Sequence, residues 1–159
     1  MESETAPELR WDSEPVMYAV WAGKVQQYNP SSTMNHLSHF ALLGLAGAVG
    51  TLLRAGCTTL ATRLFGVGFP WGTLAMNVLG SLAFGLIVGL ARTRGTIGIS
   101  AETILLVGLL GGFTTFSSYA FQSVELLEGG HPFTAAAYVI GTNVAALAAV
   151  WAGLRIAGG

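Results

Sequence analysis

Residues 111–119 read GGFTTFSSY. The apolar run ILLVGLL (104–110) precedes them, and VELLEGG (124–130) follows closely. The whole stretch is apolar enough to cross a membrane, yet its middle holds two adjacent glycines, two threonines and two serines. Glycine costs about 1 kcal/mol in a helix interior, and paired glycines mark changes of direction. A helix interrupted at membrane depth survives only where the freed backbone is buried in protein or lines a wet cavity. Carbonyls freed by such an interruption suit a small hard cation, and the two half-helix ends add a dipole of each sign. The stretch therefore predicts a membrane helix broken at Gly111–Thr115.

The surrounding chain supports a membrane setting. Of 159 residues, 52% are hydrophobic and only 9% charged, against about 25% charged in a typical soluble domain. Mean hydropathy is +0.61. So little charge cannot cover a soluble surface. A net charge of −1 gives no reason to expect nucleic acid as a partner. The single cysteine, Cys57, excludes an intrachain disulfide and reads as a small core residue.

Four apolar segments are expected as membrane-spanning helices, at about 37–60, 71–91, 102–127 and 133–156. Each is near the roughly 20 residues that span a bilayer. The connections FGVGFP, RTRGTIGIS and EGGHP are short and rich in turn residues. Small residues recur at helical spacing: Gly44, Gly47 and Gly50, then Gly85 with Gly89, then Gly108 with Gly112. These let helices approach closely in lipid and predict a tight bundle.

Residues 1–33 are acidic and aperiodic. They lack the basic and apolar regions of a signal peptide. They read either as a disordered extension or as sequence upstream of a true start at Met34, with residues 34–159 forming the helical domain. Full activity after deletion of 1–33 would support the second reading. Basic residues are nearly balanced across the membrane: Arg92, Arg94 and Arg155 on one side and Arg63 on the other. That is a mild preference for a cytoplasmic N-terminus, and it permits insertion in both orientations.

Polar groups inside the spans are the functional candidates. Arg54 lies two-thirds along the first span. It either snorkels to the interface or places a cation at the mouth of an anion pathway. Asn77 must be paired in lipid, so it either bonds a neighbouring helix or offers its amide to an anion. Tyr138 and Thr142 share a face of the fourth span at i, i+4, with Asn143 next in the chain. They form either an interhelical seam or a pore lining. Phe116 and Tyr119, at i, i+3, either pack as core or turn positive ring edges toward an anion. Ser117 and Ser118 interleave with them. The histidines His36, His39 and His131 sit at segment ends, and no catalytic motif or acidic dyad suggests an enzyme.

This constellation resembles the Fluc family of fluoride channels, also called CrcB, over about 120 residues. GLAGAVGTLLRAG (44–56) is similar to the family's first-helix signature ending in arginine. PWGTLAMNVLGSLAFG (70–85) is similar to its GTLxVNxxGSFxxG stretch, and GGFTTFSSYAFQSVELLEGG (111–130) to its GGxTTFSTFSxE stretch. The resemblance implies an antiparallel, dual-topology dimer of four-helix subunits in the plasma membrane, conducting fluoride out of the cell to lower its cytoplasmic concentration. It implies a central, structural Na+ held by backbone carbonyls, those of Gly111 and Thr114 by motif position. It places the pathway aromatics on Phe116 and Tyr119, the pore asparagine on Asn77 and the vestibule arginine on Arg54. The flanking hydroxyls fall on Ser117 and Ser118, and the polar track on Tyr138 and Thr142. Three positions depart from the pattern: Tyr119 replaces a phenylalanine, Gln122 a glutamate, and Ala146 ends the polar track early. The working unit is thus either a homodimer or a heterodimer with a homologous subunit that supplies missing groups. The alternatives are a proton-coupled small multidrug transporter, which needs a deep acidic residue, and a non-transporting assembly protein.

Overall fold

The computed structural model of the protein describes residues 36–94 and 97–158; the expectation for residues 1–33 lies outside them. These residues fold entirely as helices and connections. The first helix, α1, is His36–Phe65 and the second, α2, is Trp71–Arg94. A continuous helical stretch at 99–113, here α3, joins three pieces: Ile99–Thr103, Ile104–Leu110 and Gly111–Phe113. Then come α4 (Phe116–Glu128) and α5 (Pro132–Gly158). Four candidate spans result, at His36–Phe65, Trp71–Thr93, Ser100–Glu128 and Pro132–Gly158.

The helices outrun the expected segments because apolarity marks only the part in lipid. No helix-stopping residue follows Leu60 until Gly66. There φ is +78°, and the Gly66 N–H closes the helix on the Thr62 carbonyl at 3.0 Å. That left-handed conformation is open to glycine at little cost. The α4–α5 corner is a Schellman turn. Gly130 (φ +77°) donates to the Leu127 carbonyl at 3.1 Å and His131 to the Leu126 carbonyl at 2.9 Å. Pro132 then opens α5, where a missing N–H costs nothing.

Packing is set by glycine. Helix α2 packs chiefly on α5, and α1 on α3. A Cβ on Gly153 would lie 2.5 Å from the Leu82 carbonyl oxygen and 2.7 Å from the Leu86 nitrogen. A Cβ on Gly50 would run into the Leu109 carbonyl. At both places one backbone rests directly on another, which maximises dispersion where lipid removes the hydrophobic driving force.

Burial is inverted relative to a soluble domain. Thr73, Glu102, Thr103, Thr115, Ser123 and Thr142 are buried, while Leu52 is 72% exposed and Phe133 89% exposed. An apolar exterior around a polar seam is stable only against lipid or a second apolar surface.

Within the expected break at Gly111–Thr115, the backbone leaves the helix only at the last two residues. The pair Gly111–Gly112 is helical, Gly111 having φ −62° and ψ −37°. The extended residues are Thr114 (φ −80°, ψ 160°) and Thr115 (φ −151°, ψ 112°). Gly112 serves close approach instead: a Cβ there would strike the Gly47 backbone. Upstream, Ile104–Leu110 is wound as a wide π-helix, which sequence periodicity did not indicate.

Candidate functional site

Asn77 on α2 faces the extended pair. Its Oδ1 accepts the Thr115 N–H at 3.0 Å and its Nδ2 donates to the Thr115 carbonyl at 3.3 Å. One side-chain amide thus satisfies both backbone groups of a non-helical residue, as an adjacent strand would. One N–H of the amide remains. The Thr115 hydroxyl caps α4, accepting the Ser118 N–H at 3.2 Å and donating to the Ser118 hydroxyl at 3.0 Å. The Ser117 hydroxyl lies 3.4 Å from it.

These bonds divert two donors from the helical ladder. In continuous helix the Thr115 N–H would serve the Gly111 carbonyl, and the Ser118 N–H the Thr114 carbonyl. Both now serve side chains, so both carbonyls lack their i+4 donors. The Thr114 hydroxyl donates to the Leu110 carbonyl at 2.9 Å, turning the side chain back on its own helix.

A row of rings begins at the same place. Phe116, 79% exposed, meets buried Tyr119 at 5.7 Å between ring centroids. Tyr119 meets fully buried Tyr138 of α5 at 5.4 Å, and Tyr138 meets Phe69 edge-on at 5.4 Å. Phe69 meets Trp71 at 4.5 Å. The Tyr138 hydroxyl donates to Gln122 Oε1 at 3.1 Å. Gln122 and Phe69 both line a cavity of about 480 Å³, with Thr58, Thr73, Glu125 and His131 among its other walls. The row therefore runs from the exposed face of α4 to that cavity.

Thr142, one turn beyond Tyr138, is buried, and its hydroxyl has no hydrogen-bond partner among the described residues. Threonine in a helix ordinarily bonds the carbonyl four residues back, as Thr58 and Thr59 do here at 3.0 and 2.9 Å. Arg54 is half-buried, one turn before Thr58, and is not a wall of the cavity. The structure thus gathers Asn77, Thr114, Ser117, Ser118, Phe116, Tyr119 and Tyr138 around the α3–α4 junction, and places Arg54 on a different helix, one turn before the cavity wall residue Thr58. Sequence reasoning missed Phe69, which joins the row from a connecting loop, and Trp71, which joins it from the first residue of α2. The turn motif FGVGFP was the signal present, and it carries no information about where a loop ring points.

Four long apolar helices around a polar seam make this a multi-pass membrane protein. The chain belongs to the CrcB-like protein family, Camphor Resistance (CrcB), matching its pattern over residues 41–154. Among its relatives are proteins named fluoride-specific ion channel FluC. That of Paracoccus denitrificans is 47% identical over 120 residues, 76% of this chain and 94% of its own length. That of Agrobacterium fabrum is 42% identical over 118 residues, 74% of this chain and 94% of its own. That of Thermus thermophilus is 40% identical over 122 residues, 77% of this chain and 97% of its own.

Proposed function

We propose that this chain forms a fluoride-selective channel that lets fluoride leave the cell passively and so lowers its cytoplasmic concentration. The observation that carries this reading is the Phe116–Tyr119–Tyr138 row, which connects the cavity to the exposed face of α4 inside a membrane span. Fluoride is small and strongly hydrated, and a pathway must replace its water with donors. The free Asn77 N–H, the hydroxyls of Ser117, Ser118 and Thr142, and positive ring edges are of that kind. The N-terminus of α4, at Phe116–Ser118, adds a positive dipole end. Larger halides would be excluded by width. Arg54 would raise local anion concentration at the vestibule.

The working unit on this reading is an antiparallel dimer. Phe116 is largely exposed and Gly111 lies at the surface, as expected of groups completed by a second copy. The carbonyls of Gly111 and Thr114 lack their i+4 donors and are hard oxygen ligands, so they fit a Na+ at the dimer centre. Such an ion would supply a fixed positive charge that lowers the energy of a dehydrated anion nearby. Replacing sodium with N-methylglucamine throughout purification should weaken the dimer; unchanged assembly and flux would argue against the site.

The test of function is efflux from liposomes holding the purified chain alone, followed with a fluoride electrode and with chloride as control. Rapid fluoride efflux without chloride efflux is expected. Absence of fluoride flux, alone and after co-expression with a homologous subunit, would overturn the reading. Drug-dependent proton release would replace it with the multidrug-transporter alternative.

A further inference from the structure

We propose that Asn143 is a positioning residue for the Tyr119 hydroxyl, and that the two form a donor subsite for a small, hard anion. The inference rests on the pathway proposed above, which assigns Tyr119 as one of its rings and gives Asn143 no part. Asn143 Nδ2 lies 2.7 Å from Tyr119 Oη and 2.7 Å from the Val139 carbonyl oxygen. A carbonyl only accepts, so the amide nitrogen must face Val139, and this fixes which end of the amide meets the tyrosine. Both amide hydrogens are then engaged, and the Tyr119 hydroxyl is an acceptor toward Asn143.

That leaves the phenolic proton. Among the described residues its acceptor is the Val139 carbonyl at 3.5 Å, the outer limit of a hydrogen bond. Neighbouring hydroxyl protons are held more firmly. Ser123 donates to the Tyr119 carbonyl at 2.8 Å, Thr115 to Ser118 at 3.0 Å and Tyr138 to Gln122 at 3.1 Å. The Tyr119 O–H is thus the loosely held donor of the aromatic row. Accepting a bond from Asn143 polarises it and strengthens it as a donor. The ring cannot swing away, because it is buried between Phe116 and Tyr138. A phenylalanine at this position would offer only a C–H edge; Tyr119 with Asn143 offers an aimed O–H.

The experiment is a double-mutant cycle in liposomes, with fluoride efflux read by electrode for the full chain, Asn143→Leu, Tyr119→Phe and the double variant. Loss of a donor to a charged partner should lower fluoride flux roughly tenfold in each single variant. The double variant should be no slower than Tyr119→Phe alone, because Asn143 acts only through the hydroxyl. Leucine keeps asparagine's branching at Cγ without its polar atoms and suits lipid; Asn143→Ala, smaller than asparagine, serves as a second variant with the same expectation. Wild-type flux from Asn143→Leu and Asn143→Ala, or losses that multiply in the double variant, would overturn the proposal while leaving the channel reading intact. A wild-type chain without fluoride flux would overturn both.

Discussion

Replacing Thr142 with valine separates a pathway role from a packing role, because the two make opposite demands on one hydroxyl. Thr142 is 4% exposed, and its Oγ1 is without a partner among the described residues. Burying a hydroxyl unpaired costs about 1–3 kcal/mol. Valine has the same shape and removes that cost. Were the seam only glue between helices, Thr142→Val would be neutral or beneficial in every assay. On the pathway reading it should stabilise the fold by about 1 kcal/mol, a rise of about 3 °C in midpoint for a chain of this size. It should also lower fluoride flux. A hydroxyl donating to an anion contributes about 1.5–3 kcal/mol, so flux should fall tenfold or more. The assays are the fraction eluting as folded dimer after graded heating, and fluoride efflux from liposomes. A more stable variant with undiminished flux would remove Thr142 from the pathway. A less stable variant would show that the hydroxyl is partnered in the folded protein, refuting the premise.

Asn77→Ala strips both backbone partners from Thr115 and should destabilise the protein by about 2–6 kcal/mol, at 1–3 for each unpaired group; unchanged heat resistance would refute the pinning role. Phe116→Ile should leave the fold intact, since the ring is 79% exposed, yet cut fluoride efflux sharply; wild-type efflux would count against the assigned row. Gly153→Ala drives a methyl into the α2 backbone and should cost about 1–3 kcal/mol, whereas Gly44→Ala meets nothing within 4 Å and should be nearly silent in the same melting assay.

The departures from the family pattern take on structural meaning here. Tyr119 is tied to Asn143 by a 2.7 Å bond, so the extra hydroxyl has a fixed place. The amide oxygen of Gln122 accepts from Tyr138, as a carboxylate oxygen there also would. Ala146 has no such substitute on α5 among the bonds just described.

What the sequence determined by itself was everything governed by local composition. The number of spans followed from apolar runs near the bilayer's thickness. Their corners followed from glycine and proline, as at Gly66 and Gly130–Pro132. The polar candidates were legible because a hydroxyl or amide in lipid is expensive and stands out. Tertiary structure decided the rest. The paired glycines and the threonines after them suggested a break somewhere in Gly111–Thr115, because glycine is the weaker helix former. Within that stretch the extended residues are Thr114 and Thr115, because Gly112 is needed against α1 and because Asn77, 38 residues away, replaces the bonds that Thr115 gives up. Nor does any local pattern tell that Phe69 completes a row of rings, or that Asn143 rather than Thr142 meets Tyr119. Those facts depend on which faces of separate helices meet, and that is settled only where backbones pack.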